Sequence, residues 1–539
     1  MSHTKSNLEK KIFKAGGLVL LAHLLFKLAG LIQAKVMGHY LDPATFDVVY
    51  AFAFENCIFM LFLIVQEIIG PAFLPVFIRE FDENGEDKAW SFTNTVLTVQ
   101  FLILLGVAGL LVAFPDVFVR VLTRWTAANA PDKYGLAVKS VRILAPAVVG
   151  LSLGTTTYVL LNGYKRFFLA AFGDAVWKFC AIAFCIVGAV CSRDVTMMLL
   201  WGLVAGAFCK VATHLFGLRD KLPRFRPMLD FSNPAFRRLC WLILPLLAGI
   251  LVSKVRDVVN NAYLLSALEE SGLLQANSMG RKLQATFLFL VPYTLSVAAF
   301  PYFCELVDKR DHQQMGQLLT KFGRILLAVF VPFSVFVVVS CVPMTALLFK
   351  GGHFDALAVQ RTSVSLACYT AVLPAAALEA LFMQAFFASR RMVSVTVIGI
   401  LFSALSVAIS WAGLVWFGTR NSLILLGCIA GGFALSRSLK TLVLVIFFRR
   451  TVPAFPPRET CGFLIRLCLA SALSGAAAWG CLHLFAKQKS LVQLAAAGAA
   501  FAITYLVCAK LLRVTELSDL TRDLLAKVLK KRDAKGVAS

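Results

Sequence analysis

The chain has 539 residues, 59% of them hydrophobic and only 15% charged, with a mean hydropathy of +0.79. Soluble domains carry roughly 45–50% apolar and about 25% charged residues, so this chain has too little polar surface for a water-exposed globule and lipid must cover it. A net charge of +24 on a soluble protein would suggest nucleic acid, but here the cations sit in short loops between apolar runs, where membrane topology accounts for them.

A bilayer-spanning helix needs about 20 mostly apolar residues. The first such run, Ala15 to Met37, follows the basic start MSHTKSNLEKKIFK. It is too long for a signal-peptide core and lacks a small-residue cleavage pattern, so it reads as a span. Further spans are predicted at 46–77, 92–114, 137–162, 167–191, 197–216, 239–268, 283–306, 322–349, 362–388, 393–417, 422–448, 462–485 and 490–512. That makes about 14 in an all-α polytopic membrane protein. Charged or Pro-rich stretches such as REFDENGEDK (79–88), RDKLPRFRP (219–227) and RRTVPAFPPRE (449–459) are expected to separate them. The fourteen cysteines fall mostly in apolar runs with no CxxC pair, and read as small buried hydrophobes rather than as metal ligands.

Lys and Arg set the orientation. One side collects Lys5, Lys10, Lys11, Lys14, Arg79, Lys88, Lys165, Arg166, Arg219, Lys221, Arg224, Arg226, Lys309, Arg310, Arg390, Arg391, Arg449 and Arg450. The other side holds fewer. Both termini are therefore expected to be cytoplasmic. The segment after Arg513, TELSDLTRDLLAKVLKKRDAK, reads either as a basic amphipathic helix on an anionic leaflet or as a disordered tail.

The halves repeat. AFLPVFIREFDENGED, with Pro75, is echoed by AAFPYFCELVDKRDHQ, with Pro301. LNGYKRF, with Lys165 and Arg166, is echoed by FFASRRM, with Arg390 and Arg391. The two separations agree to within one residue. Six helices per repeat give two parallel six-helix lobes, 1–218 and 219–450, then two extra helices over 451–513 and the tail 514–539.

Ionisable residues at bilayer depth usually face a cavity. The first span carries His23 and Lys27, the second Glu55 and Glu67, and the seventh Lys254, Arg256 and Asp257 followed by Asn260 and Asn261. Arg281 and Lys282 open the eighth, Glu379 lies in the tenth, and Arg437 and Lys440 lie in the twelfth. Each cation is either neutralised by an acid (Arg256 by Asp257, Lys27 by Glu55 or Glu67, Arg437 by Glu379) or left for an anionic ligand. Arg437 and Lys440 can also snorkel to the membrane surface. As a cluster, lysines from both halves suit phosphate oxygens.

Several stretches carry a family resemblance: AFLPVFIRE (72–80), LNGYKRFFLAAF (161–172), LPLLAGILVSKVRDVVNNA (244–262), ALLFKGGHFDALAVQR (346–361) and FFASRRM (386–392). They resemble the MurJ/MviN lipid II flippases of the multidrug/oligosaccharidyl-lipid/polysaccharide exporter superfamily. The resemblance implies two lobes in a V, alternating access, a cationic cavity for the substrate diphosphate and a lipid-tail groove beside the last two helices. Lys282 falls where the family has an arginine. FKLAGLIQ replaces its first-helix pattern, with Lys27 and Gln33 as stand-ins, and the second-helix arginine has no counterpart near Leu61. Asp47 matches a family acid, and Asn260 lies where relatives carry Asn or Asp, at a position suited to a coupling cation.

The expectation is a non-enzymatic flippase for lipid II or a similar undecaprenyl-diphosphate glycan. It would serve cell-wall synthesis in a bacterial inner membrane, as a monomer among membrane lipids, with no nucleic-acid partner. Lys27, Lys254, Arg256 and Lys282 would hold the diphosphate. His23, Asp47, Glu55, Glu67, Arg281 and Asp257 would shape or gate the cavity, and Asn260, Asn261 and Glu379 would serve ion coupling. No metal, cofactor or nucleotide-cradling loop is expected, so Na+, H+ or the membrane potential would drive transport. The alternatives are an O-antigen-type glycolipid flippase, or a cation-coupled drug exporter, for which an acidic cavity would be expected. A membrane glycosyltransferase would need paired carboxylates on a long outer loop.

Overall fold

The computed structural model describes residues 25–289, 300, 302–389, 391–417, 421–514 and 516. His23, Pro301, Arg390 and nearly all of the tail 514–539 lie outside these residues. So do parts of the predicted spans 15–37 and 283–306.

Among the described residues every regular element is helical. The elements are α1 (25–40 as described), α2 (Pro43–Asn84), α3 (Glu86–Ala113), α4 (Pro115–Leu122), α5 (Pro131–Gly163), α6 (Phe167–Val190), α7 (Val195–Gly217) and α8 (Pro234–Val258). They continue with α9 (Leu273–Phe289), α10 (302–308), α11 (His312–Val339), α12 (Cys341–Phe349), α13 (Ala356–Thr370), α14 (Leu373–Ala388), α15 (Met392–Phe417), α16 (Ser422–Arg449), α17 (Pro457–Leu484) and α18 (Ser490–Leu511). Ten helices among the described residues are long and apolar enough to cross a bilayer, and two bent pairs bring the number to twelve. Large side chains such as Ile103 and Leu105 on α3, Val393 and Leu401 on α15, and Ile503 and Leu506 on α18 point outward and bare. In water such stripes would be a liability; against acyl chains they are the solvated surface.

Helix starts follow capping chemistry. Asp42 accepts from the Ala44 and Thr45 N–H groups, each at 3.0 Å, with Pro43 in the first turn. Asp194, Asn233 and Asn421 cap α7, α8 and α16 in the same way. Two helix breaks fall at prolines, although Pro71, Pro75, Pro146 and Pro332 lie within continuous helices. Pro343 would clash with the Val339 carbonyl in a continuous helix, and α11 ends at Val339, so the predicted span 322–349 is two helices. Pro374 stands four residues after Thr370, where α13 ends with a 41° bend into α14. The stretch 79–88, expected to be a loop, is helical up to Asn84. Arg79 bonds Glu83 at 2.9 Å across one turn, and the turn is confined to Gly85, whose φ of +83° suits glycine.

The chain packs as two compact units, one drawn from Met1–Ser278 with Gly351–Asp355, the other from Met279–Lys350 with Ala356–Ser539. In the first, Phe73 stacks between Phe77 and Phe92 at ring separations of 5.8 and 5.2 Å, against Leu160 and Leu161 of α5 and Leu239 of α8. In the second, Phe382, Phe386, Phe448 and Phe455 form the corresponding apolar centre. All fourteen cysteines are free. Cys57 and Cys185 are buried as expected, whereas Cys191, Cys240, Cys461 and Cys468 are exposed, because they fall on outward faces or helix ends.

Two of the family-like stretches are tight turns. In LNGYKRF, Tyr164 donates to Glu86 at 2.7 Å and accepts from Trp90 Nε1 at 2.8 Å. Arg166 grips both carboxylate oxygens of Asp220, at 2.5 and 2.7 Å. In KGGHFD, Gly351 pairs with Phe354, and the His353 N–H donates to the His39 carbonyl at 3.1 Å. Gly352 has φ +57°, and a Cβ there would lie 2.2 Å from that carbonyl oxygen.

Candidate functional site

In the first unit α2, α8 and α9 share a polar seam. The first third of α2, Phe46–Ile58, is π-helical, and so is the end of α8, Val259–Tyr263. Such local unwinding recurs at functional positions. Asp47, buried in this wide turn, accepts from the Gly272 and Gln275 N–H groups at 2.7 Å each. It therefore satisfies the start of α9 from another helix. Eight residues on, Glu55 accepts from the Ser278 hydroxyl. Asn277 donates to Asn261 at 2.8 Å, and Asn260 is buried beside it.

Lys254 on α8 meets Glu67 on α2 at 2.5 Å. The ion pair is lopsided: 9% of the lysine side chain is exposed against 43% of the glutamate. Arg256 turns on its neighbour Asp257, with Nη2 at 2.6 Å and Nε at 3.0 Å from one carboxylate oxygen. Lys27 is partly buried on α1. The candidates of this unit comprise Lys27, Lys254 and Arg256 against Asp47, Glu55, Glu67 and Asp257, so the seam is not basic by count. Its balance depends on carboxylates already engaged, Asp47 foremost.

In the second unit Arg281 and Lys282 are half-buried on α9. Glu379 is buried on α14 between two cations of α16, Arg437 Nε at 2.6 Å and Lys440 Nζ at 2.8 Å. These two cations serve a buried acid and do not only snorkel. A groove of about 320 Å³ runs between α11 and α18, lined by Val329, Pro332, Phe333, Phe336, Phe501 and Tyr505 among others. Tyr505 turns its hydroxyl away, donating to the Ala328 carbonyl at 2.7 Å, so the groove surface stays apolar. Among the described residues no three His, Cys, Asp or Glu side chains gather as a metal site.

Reading charges span by span found the α2 and α8 residues but passed over Asp174, Lys178, Lys210 and His214 in α6 and α7. Lys178 is buried and donates to the Phe26 carbonyl of α1 at 3.0 Å. The available signal was the spacing: Asp174 and Lys178, then Lys210 and His214, each one turn apart on neighbouring spans.

A profile described as "Lipid II flippase MurJ" matches residues 33–499. The chain is 23% identical over 447 residues to a probable lipid II flippase MurJ of Borreliella burgdorferi, covering 80% of this chain and 81% of that one. It is 23% identical over 369 residues to the lipid II flippase MurJ of Burkholderia cenocepacia, covering 67% and 70%. Among solved structures it is similar to a lipid II flippase MurJ in an inward closed conformation, with TM-score 0.70, 18% identity, and 94% of this chain and 99% of that one covered. It is also similar to an inward-facing multidrug resistance MATE family transporter of the MOP superfamily, with TM-score 0.66, 11% identity, and coverage of 79% and 95%.

Proposed function

We propose, from the premise that this chain belongs to the lipid II flippase MurJ family, that it moves lipid II from the inner to the outer leaflet of a bacterial inner membrane. The cargo places opposite demands on the protein. Its diphosphate and sugars must cross hydrocarbon, while its prenyl chain never needs to leave it. Cations inside the bundle meet the first demand and an apolar groove open to lipid meets the second.

The observation that carries this reading is the Lys254–Glu67 pair. A nearly buried ammonium is held by a carboxylate that is itself almost half exposed. Glu67 is thus an exchangeable counter-ion. An entering diphosphate takes its place, and the lysine never stands uncompensated in a medium of low dielectric. Arg256 with Asp257 permits the same exchange with a forked donor. Lys27 joins them as a diphosphate ligand of the first unit, and Lys282 is the corresponding candidate of the second. The groove between α11 and α18 receives the prenyl chain. Both termini are cytoplasmic, the protein acts as a monomer, and an ion gradient or the membrane potential resets it, with Asn260, Asn261 and Glu379 as candidate coupling residues.

Expression in a bacterial strain depleted of its own lipid II flippase tests the reading. The intact chain restores growth and cell shape. Lys254→Ala, produced at equal membrane abundance, does not. Failure of the intact chain to rescue, when correctly inserted, would remove lipid II as the cargo.

A further inference from the structure

Counted from the starts of their helices, three positions of the first unit recur in the second. Gly154 of α5 corresponds to Glu379, reached from the start of α13 through α14. Asp174 of α6 corresponds to Gly399 of α15, and Lys210 of α7 to Arg437 of α16. Each trio holds one acid and one cation, but the acid has changed helix. In the first unit Lys210 Nζ stands 2.6 Å from Asp174. Glycine clears the way, since a Cβ at residue 154 would sit 2.7 Å from Lys210 Cε. In the second unit the carboxylate comes from the Gly154 position, as Glu379, and glycine holds the Asp174 position. A Cβ at residue 399 would sit 3.8 Å from Lys440 Nζ.

What differs is the charge. In the first unit one carboxylate answers one cation. His214, one turn beyond Lys210, has both ring nitrogens bonded, to Thr157 Oγ1 at 2.9 Å and to the Ala170 carbonyl at 3.1 Å. Lys178 turns away to the Phe26 carbonyl of α1. In the second unit Lys440, within one residue of the position of His214, is a further cation on the same acid. Arg437 Nε and Lys440 Nζ take one oxygen of Glu379 each, at 2.6 and 2.8 Å. Two cations therefore share one carboxylate, where the first unit ties its helices with a single one.

The Arg437 guanidinium is only partly used. Its Nη1 and Nη2 groups donate to nothing among the described residues. They are not shut away, because 32% of the side chain is exposed against 9% of the glutamate. That exposure is not toward lipid. Leu435, Leu439, Leu442 and Ile446 form the bare stripe of α16, and at 3.6 residues per turn Arg437 falls opposite, on the side of buried Ala430, Leu444 and Phe448. At 1.5 Å per residue Arg437 lies about 18 Å along α16 from Arg449. That is close to half of a hydrocarbon core of about 30 Å, so the headgroup of a phospholipid resting in either leaflet does not reach it.

We infer that Arg437 and Lys440, held by Glu379, form a phosphate-binding site in the second unit. The two free Nη groups match two oxygens of one phosphate, and Lys440 adds its charge. The anion balances the surplus cation, which is costly to keep unpaired away from bulk water. Its source is the diphosphate of the cargo or free phosphate. Only the first of these rests on the flippase reading.

Titration calorimetry of the purified full-length protein with inorganic pyrophosphate counts the sites. The wild type binds one more pyrophosphate than Arg437→Gln, which leaves Lys440 and Glu379 as a one-to-one pair like that of the first unit and so keeps the helices tied. Gly399→Asp restores the first unit's carboxylate beside Lys440 and removes the same site with Arg437 in place, whereas Gly399→Ala, which fills the space without charge, keeps it. A removed site is one whose affinity falls at least about tenfold. Equal numbers of sites in the wild type and Arg437→Gln would overturn the proposal, as would loss of the site in Gly399→Ala. Lipid II added in detergent separates the two sources. It displaces the Arg437-dependent pyrophosphate if the cargo's diphosphate is the occupant, and leaves it bound if free phosphate is. Should the polar seam take no anion and the flippase reading fail with it, the wild type binds one pyrophosphate and Arg437→Gln none, and that difference still decides the site.

Discussion

Lys254 is asked to be both a structural cation and a ligand, and the two roles respond differently to exchange of the pair. If the lysine only ties α8 to α2, then Lys254→Glu with Glu67→Lys restores the tie and everything with it. If it receives a diphosphate, the swap restores folding but leaves the cation on α2, where 43% of the native side chain is exposed. The expected outcome is recovered membrane abundance in the swap and flipping at least about tenfold below wild type, a loss of about 1.4 kcal/mol in transition-state stabilisation. Equal flipping in swap and wild type would make the pair structural. At this scale the sequence was informative where partners are adjacent or few: Arg256 with Asp257 and Arg437 with Glu379 could be read directly. The partner of Lys254 could not, because Glu55 and Glu67 both lie on α2 and only helix packing chooses between them. The Asp174, Lys210 and His214 cluster was hidden for the same reason. Each of its members sits singly in an apolar run, and their meeting is a property of three helices.

Among the elements, the turns carry the sharpest constraints. Gly352 combines a left-handed φ with a Cβ position 2.2 Å from the His39 carbonyl oxygen. Gly352→Ala is therefore expected to cost about 1–3 kcal/mol, seen as a lower thermal unfolding midpoint of the purified protein, whereas Ala at Gly427, where a Cβ meets nothing within 4 Å, leaves the midpoint unchanged. The loop after α5 depends on charge. The hydrogen bonds from Arg166 to Asp220 lower that carboxyl to about 2, below the ordinary value near 4. A depressed carboxylate stabilises the fold above its unfolded value, and the contribution fades as pH falls through its folded value. The stability difference between wild type and Asp220→Asn should accordingly be constant near neutrality and shrink between about pH 4 and pH 2. A difference that grows on acidification would contradict the pairing. Most helices were legible from twenty-residue apolar runs, but their starts were not: Glu86, Pro131 and Pro234 open α3, α5 and α8 five or six residues before the predicted spans. The breaks before Pro343 and Pro374 were missed because apolar content runs on through them. Proline acts on the carbonyl four residues back, a signal that hydropathy does not weigh.

For the molecule as a whole, composition dictated a lipid-clad helical bundle, and the match from residue 33 to 499 places it in the lipid II flippase MurJ family. What composition alone could not supply is the charge balance inside it. A net charge of +24 suggests a basic interior, yet the described candidates of the first unit hold more carboxylates than cations. Affinity for a diphosphate must then come from exchange of counter-ions rather than from a standing positive field. That claim is tested most directly by reconstituting the protein in vesicles with lipid II and timing its arrival in the opposite leaflet, for the wild type and for Lys27→Ala, Lys254→Ala, Arg256→Ala and Lys282→Ala. The account predicts flipping by the wild type and at least about tenfold slower flipping with Lys254→Ala or Arg256→Ala. Unimpaired flipping in all four variants would contradict it.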